Sequence, residues 1–361
     1  MRVSRDARSF PSLCSRGTSS TVFTYMNPSD EIRREWMIEC LMRHGRNSMS
    51  TLLLYEGFRC YRCQAAEGFI GYIDTPRLCI AIGEPVCAQE KYREAALEFI
   101  RFCEASRKDC CFLLVTDEFT VMAKDLGFLA IEVGEDFIFD VQTYAPRGNH
   151  SKKVRSAVNQ IRKRGAAVRQ YNPSVSRDIQ AEDAINAVAQ RWIRSRNFQI
   201  KGYFIGLRLF DFEALKRYFY VEYEGRIVAA LACAPIYARN GYLLEDLMRD
   251  PDAPNGVSEL MVLEAIRIFR EEGRSMATFG ISPKVALGGL GNLPPWISFL
   301  LSPGATIANR VLGLNSLHHH REKFDTRHME KCFMVKYPKR LRPVDLYGLL
   351  KTFNATGTIF G

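Results

Sequence analysis

The stretch Gly241-Tyr-Leu-Leu-Glu-Asp-Leu-Met-Arg-Asp-Pro-Asp-Ala-Pro-Asn-Gly-Val-Ser-Glu-Leu-Met261 holds a strand, a loop and the start of a helix in sequence. Gly241–Met248 is apolar and bounded by turn residues, as a strand should be. Pro251 and Pro254 cannot sit in a central ladder, so the strand ends in the loop 250–256. Beyond it Val257, Leu260, Met261, Ala265, Ile268 and Phe269 fall on one side of a helix, and Gly273 stops it. Met276–Ile281 is the next strand.

Working outward, the same order occurs once before. Leu78–Ile82 (LCIAI) is a buried-strand run followed by the loop Gly83-Glu84-Pro85. Tyr92, Ala95, Ala96, Phe99, Ile100 and Cys103 then repeat at helical spacing. Cys111–Val115, a short helix, the turn at Gly127-Phe128 and a strand in Phe137–Val141 complete the first unit. In the second, Phe219–Tyr223 and Ile227–Pro235 precede the opening stretch, joined by the turn Glu224-Gly225, and Phe333–Tyr337 closes. Strand, loop, amphipathic helix, strand, occurring twice, predicts an α+β protein. We expect tandem acyltransferase folds of the GNAT type, two mixed sheets with flanking helices, joined by a basic helix. The predicted division is an N-terminal segment 1–25, a first domain 26–148, a connecting helix 149–171, a second domain 172–340 and a tail 341–361. Residues 1–25 are rich in Arg and Ser, and Met26 is the expected initiator.

The 361 residues carry a net charge of +10, which calls for an acidic partner, either nucleic acid or an anionic membrane face. No run reaches the ~20 apolar residues that a spanning helix needs, so membrane contact is expected to be peripheral. Eleven scattered cysteines suit a reduced compartment. Cys60 and Cys63 lack the second pair of ligands that a zinc site requires, and adjacent His318, His319 and His320 cannot easily converge on one ion. No metal is expected.

The charge concentrates between the halves. Residues 149–171 hold seven basic side chains and no acid. Val154, Val158 and Ile161 form an apolar stripe, Gly165 suits the C-terminal cap, and Lys152, Arg155, Asn159 and Arg162 share the solvent side, flanked by Lys153 and Lys163. Such a face neutralises phosphates, of RNA or of lipid headgroups. Asp246 and Arg249, at the end of the strand in the opening stretch, offer a proton acceptor and an anion holder. Their odd spacing puts them on opposite strand faces unless the chain bends near Arg249. The loop that follows, with Asp250, Asp252 and two prolines, is a poor cradle for the pyrophosphate of acetyl-CoA. Leu293–Leu314, with the single charge Arg310, suits an apolar tunnel, the membrane interface with Trp296 as anchor, or core.

Taken in order, IAIGEPV (80–86), GEDFIFDV (134–141), KKVRSAVNQIRKRG (152–165), QRWIRSRNF (190–198), GYFIGL (202–207), LLEDLMRDPDAPNGVSELM (243–261), FGISP (279–283) and REKFDTRH (321–328) carry a family resemblance. Over residues 40–340 the chain resembles the C-terminal cytosolic domain of the phosphatidylglycerol lysyltransferases, or multiple peptide resistance factors, and their freestanding relatives. The resemblance implies transfer of an aminoacyl group from aminoacyl-tRNA, as co-substrate and without a cofactor, to a lipid hydroxyl of phosphatidylglycerol or a sterol. It implies a cytoplasmic protein peripheral to the inner membrane face. By motif, Asp246, Arg249 and Lys323 match the catalytic set, and Arg327, Ser282 and Trp192 fall at substrate-binding positions. Lys152, Lys153, Arg155, Asn159, Arg162 and Lys163 match the tRNA-contacting helix. The family's membrane flippase part has no counterpart here, so product export is not expected. Its K-F-x-P-x-W stretch here reads Lys323-Phe-Asp-Thr-Arg-His328, without the Pro and Trp that shape the acceptor pocket. Transfer to a soluble amine, a non-catalytic tRNA- or membrane-binding module, and an acetyl-CoA enzyme are the competing expectations.

Overall fold

The structure is a computed structural model that describes residues 28–149, 151–195, 209–283, 321–326 and 328–352. The N-terminal segment, the Leu293–Leu314 block, the histidines 318–320 and Arg327 lie outside the described residues.

The eleven strands among the described residues form one sheet, in the order β1-β2-β3-β4-β11-β5-β10-β9-β8-β7-β6. The strands of the first half are β1 (Arg59–Cys63), β2 (Gly68–Asp74), β3 (Leu78–Ile82), β4 (Asp109–Val115) and β5 (Leu129–Asp140). Those of the second are β6 (Ala167–Tyr171), β7 (Arg217–Tyr223), β8 (Arg226–Ile236), β9 (Gly241–Arg249), β10 (Met276–Pro283) and β11 (His328–Tyr337). The helices are α1 (Pro28–His44), α2 (Tyr92–Ala105), α3 (Asp117–Asp125), α4 (Lys152–Lys163), α5 (Ile179–Arg194), α6 (Val257–Glu271) and α7 (Pro343–Thr352). None is long and apolar enough to cross a membrane among the described residues.

The α+β class and the repeated element order hold, but the two expected sheets are one. Antiparallel pairing of β5 with β10 joins the halves, from Met276↔Asp140 to Pro283↔Gly134. Two open edges, each a row of unpaired backbone donors and acceptors, are removed by that pairing. The late strand β11 inserts between β4 and β5, antiparallel to both. Periodicity finds strands but is silent on which edges meet, so neither contact is visible in the sequence.

The apolar stripes go where their spacing puts them. Tyr92, Ala95, Ala96, Phe99, Ile100 and Cys103 of α2 are all buried against β1–β4. In the second half α6 packs on one sheet face, with Val257, Leu260, Met261, Ala265 and Phe269 in the core, and α5 packs on the other. The basic helix α4 lays Val154, Val158 and Ile161 into the core on the α6 side. Gly165 follows it with φ +89°, and the backbone N–H of Ala166 returns to the Ile161 carbonyl, as a glycine-terminated helix requires.

Contact between α4 and α6 is tightest at Gly256, which precedes α6 with φ +98°. A Cβ there would lie 2.6 Å from the Ala157 carbonyl oxygen of α4. Both the backbone angle and the space exclude a side chain. We therefore expect Gly256→Ala to lower unfolding free energy by about 1–3 kcal/mol, read as a lower urea midpoint at unchanged slope.

Candidate active site

Two irregularities open the sheet between β9 and β10. The strands pair in parallel only over Gly241–Leu243 and Met276–Thr278. Beyond Thr278 the register of β10 against β5 shifts, Gly280 takes φ +76°, and β10 stays with β5 as far as Pro283. On the other side, β9 stays with β8 to its end at Arg249. The two strands thus diverge. In an open sheet such a divergence exposes strand ends to a ligand.

A β-bulge lies on β9 itself. Leu244 pairs with Cys233 and Asp246 pairs with Ala232, which leaves Glu245 as the extra residue. Residues opposite each other on antiparallel strands share a face. Asp246 therefore lies with Ala232 and Met248 on the α5 side, whereas Arg249 pairs with Ala229 on the α6 side. The expected bend near Arg249 is absent, because the strand runs on through it. The pair sits on opposite faces of one strand end.

On the α5 side the bulge turns Glu245 onto buried Lys216, at 2.8 Å from its ammonium. That ammonium lies over the Tyr55 ring, 5.5 Å from its centre, so the first half contributes to the site. Burial alone would lower the Lys216 pKa, but Glu245 and Tyr55 more than reverse this and raise it. Asp246, next to this group, makes no hydrogen bond or ion pair to a described residue. Burial pushes its carboxyl up to about 7, with Glu245 adding to the shift and Lys216 opposing it. Such a carboxyl exchanges its proton near neutral pH.

On the α6 side Arg249 donates to the Ala253 carbonyl at 3.3 Å, and Lys323 pairs with Glu259 of α6 at 2.7 Å. Burial lowers the Lys323 pKa, Glu259 resists, and the Arg249 charge lowers it further. The two predicted cations are thus close enough to feel each other, and Glu259 offsets only one of the two charges.

Lys323 is held there by its neighbours. Phe324 is fully buried among Phe139, Phe279 and Tyr144, and the Tyr144 hydroxyl donates to the Phe324 carbonyl at 2.7 Å. Arg321, buried, donates to the carbonyls of Phe279 and Gly280 at 2.8 and 2.9 Å. Those carbonyls lie where β10 has left β9, so the guanidinium replaces a missing strand. Burial pulls the Arg321 pKa down to about 10, opposed by the buried carboxylate of Asp136. Sequence reasoning missed both Arg321 and Asp136. The only signal was a charge beside an aromatic in Arg321-Glu-Lys-Phe324.

The other predicted residues divide. Ser282 is buried on β10 opposite Glu135, and Trp192 packs against the α5-side core. On α4, Lys152, Lys153, Asn159, Arg162 and Lys163 are exposed. Arg155 is half-buried and spends its guanidinium on the carbonyls of Pro146 and Gly148, at 3.0 and 2.8 Å. Its role in the structure is to fasten the approach to α4. The carboxylates of the 250–256 loop do not stand as free repulsive charges: Arg191 and Arg226 grip Asp250, and Arg226 also reaches Asp252. At the start of α6 the Ala157 backbone of α4 lies close against Gly256. No group of three or more potential metal ligands occurs among the described residues.

Replacing Arg321 by Met removes the donor to two backbone carbonyls and a cation that offsets the charge of Asp136. We expect a loss of about 2–4 kcal/mol in unfolding free energy, with Arg321→Lys recovering part of it in the same denaturation experiment.

Comparison with known proteins gives this geometry a context. The family model described as "Phosphatidylglycerol lysyltransferase, C-terminal" matches residues 38–336. The phosphatidylglycerol lysyltransferase of Bacillus subtilis is 23% identical over 252 residues, 69% of this chain and 29% of that protein. The chain spans under a third of the length of the curated relatives it matches. Among solved structures it is similar to the C-terminal domain of a putative lysylphosphatidylglycerol synthetase from Agrobacterium fabrum, with a TM-score of 0.73 at 16% identity, covering 91% of this chain and 97% of that one. The L-PGS structure from Bacillus licheniformis gives 0.70 at 18% identity, covering 88% and 96%. With a match over most of its length and the same fold in both structures, this chain belongs to the phosphatidylglycerol lysyltransferase C-terminal family.

Proposed function

We propose that the chain is an aminoacyltransferase that moves an aminoacyl group from aminoacyl-tRNA to the hydroxyl of a membrane lipid, phosphatidylglycerol-like or sterol. Family membership supports the lipid acceptor. The observation that carries the chemistry is the diverging strand pair, with a near-neutral carboxyl on one face of β9 and two cations on the other.

The reaction is a transesterification. Asp246 in its carboxylate form accepts the proton of the lipid hydroxyl, whose oxygen attacks the aminoacyl carbonyl. Arg249 and Lys323, on the other face of β9, hold a substrate phosphate. As the bond to the ribose oxygen breaks, that oxygen takes the proton back. One ester bond is exchanged for another, so no cofactor is called for. The exposed cations of α4 hold tRNA phosphates, and the protein works peripherally at the inner membrane face.

The test supplies tRNA, synthetases and labelled amino acids with native lipids, and follows label into the lipid extract. Ribonuclease-insensitive labelling overturns the tRNA donor, and label confined to the aqueous phase overturns the lipid acceptor. Arg249→Ala, Lys323→Ala and Asp246→Asn should each lower kcat/KM about 100-fold or more. In the wild type kcat/KM should rise with pH through about 7, and Asp246→Asn should flatten that limb.

The sign for stability runs the opposite way. Because the folded pKa of Asp246 is raised, its contribution is fully present below the unfolded value and lost as pH climbs through about 7. Asp246→Asn should thus be at least as stable as the wild type at pH 8 by thermal melting, while inactive. On α4, Lys153→Ala should weaken tRNA binding and reduce the slope of log affinity against log salt by about 1, measured by filter binding.

A further inference from the structure

A groove of about 940 Å³ lies on the α5 side of the sheet at the start of β8, just beyond the Ala229–Arg249 pair and on the face opposite the Arg249 side chain. Its floor is apolar: Ala184 and Ala187 of α5, Ile227 of β8, and Pro251. Its rim is cationic, formed by Arg191, Arg194 and Arg226, with Asp252 beside them.

The arginines are arranged rather than scattered. The Asp250 carboxylate, fully buried, accepts from Arg191 at 2.5 and 2.9 Å and from Arg226 at 3.1 Å. One buried anion thereby fixes two guanidiniums, and each remains 46% exposed toward the groove. Fixing them beforehand removes the side-chain entropy cost of holding an anion there. Arg194 has no carboxylate partner among the described residues. Three positive charges stand against Asp250 and Asp252, leaving the rim with an excess of one.

The geometry points to this groove as a docking site for the headgroup region of an anionic phospholipid, by which the protein holds to the membrane surface. This rests on the lipid-transfer reading and adds a second contact to it. Guanidiniums around an apolar floor match a phosphodiester with its glycerol and first methylenes. An RNA backbone would match the charges but leave the alanine and isoleucine floor unexplained. The groove also lies on the sheet face opposite α4, so lipid here and RNA on α4 do not compete. Along β8, Ala232, the partner of Asp246, lies five residues beyond Ile227, roughly 16 Å at the rise of a strand. A headgroup in the groove therefore cannot present its hydroxyl to Asp246, and the groove is an anchoring site apart from the acceptor.

The test is cosedimentation of the 361-residue chain with vesicles of phosphatidylcholine alone or mixed with phosphatidylglycerol, without tRNA. Wild type should pellet with the mixed vesicles and be released by salt. One surface cation at an anionic leaflet corresponds to about fivefold in partitioning, so Arg194→Glu should weaken binding about fivefold or more, and Arg194→Lys should retain it. Ala187→Glu, which puts charge on the floor, should weaken it comparably. Lys153→Glu on α4 should leave it intact. Arg191 and Arg226 are avoided because Asp250 depends on them, and the exposed Arg194 decides if the floor variant misfolds. Wild-type vesicle binding by Arg194→Glu overturns the proposal, and so does loss of tRNA binding with vesicle binding kept. Since no donor is present, this result stands apart from whether transfer occurs.

Discussion

The rest of the structure depends on the parting of β9 from β10. A sheet that opens in its middle strands backbone carbonyls that pairing would have satisfied, and buried carbonyls without donors are costly. Here the missing strand is replaced by one side chain: the Arg321 guanidinium meets the carbonyls of Phe279 and Gly280. Its charge is in turn opposed by buried Asp136, which hydrogen-bonds Thr278 at the last paired position. The cleft is therefore held open by a polar network. The same segment that holds it open carries Lys323, so opening the cleft and equipping it are one event.

On the facing strand, the bulge at Glu245 has a comparable effect. One extra residue re-aims everything after it, and the Asp246 carboxyl arrives on the α5 side, half-buried and next to Glu245, which pairs with Lys216. Glu245 and Lys216 form a compensated pair, whereas Asp246 bears the cost of burial in its raised pKa. Across the strand, Lys323 pairs with Glu259 and Arg249 donates to the Ala253 carbonyl.

Much of this was legible in the residues. The stripe of α2, the stripe of α4 with Gly165 behind it, and the strand–loop–helix run of 241–261 follow from apolar spacing and turn chemistry, which are local. Asp246, Arg249 and Lys323 were nameable because the family resemblance points to them. Their opposed placement was not, since a bulge is set by the partner strand. The charge argument against acetyl-CoA treated Asp250 and Asp252 as free charges, whereas Arg191 and Arg226 pair with them. Arg155, grouped with the RNA-facing cations, also donates to two backbone carbonyls, a contact the sequence does not reveal.

By itself the sequence determined the helices and strands with clear apolar spacing, among them α2, α4, α6, β3 and β9, which faces of those helices are apolar, and where positive charge gathers. Each of these is a property of residues within a few turns of one another. Only the tertiary structure decided that two halves share one sheet, that β11 returns between β4 and β5, and that Arg321 stands in for a strand. Those depend on which edges and buried charges meet across hundreds of residues, and no local pattern encodes a meeting.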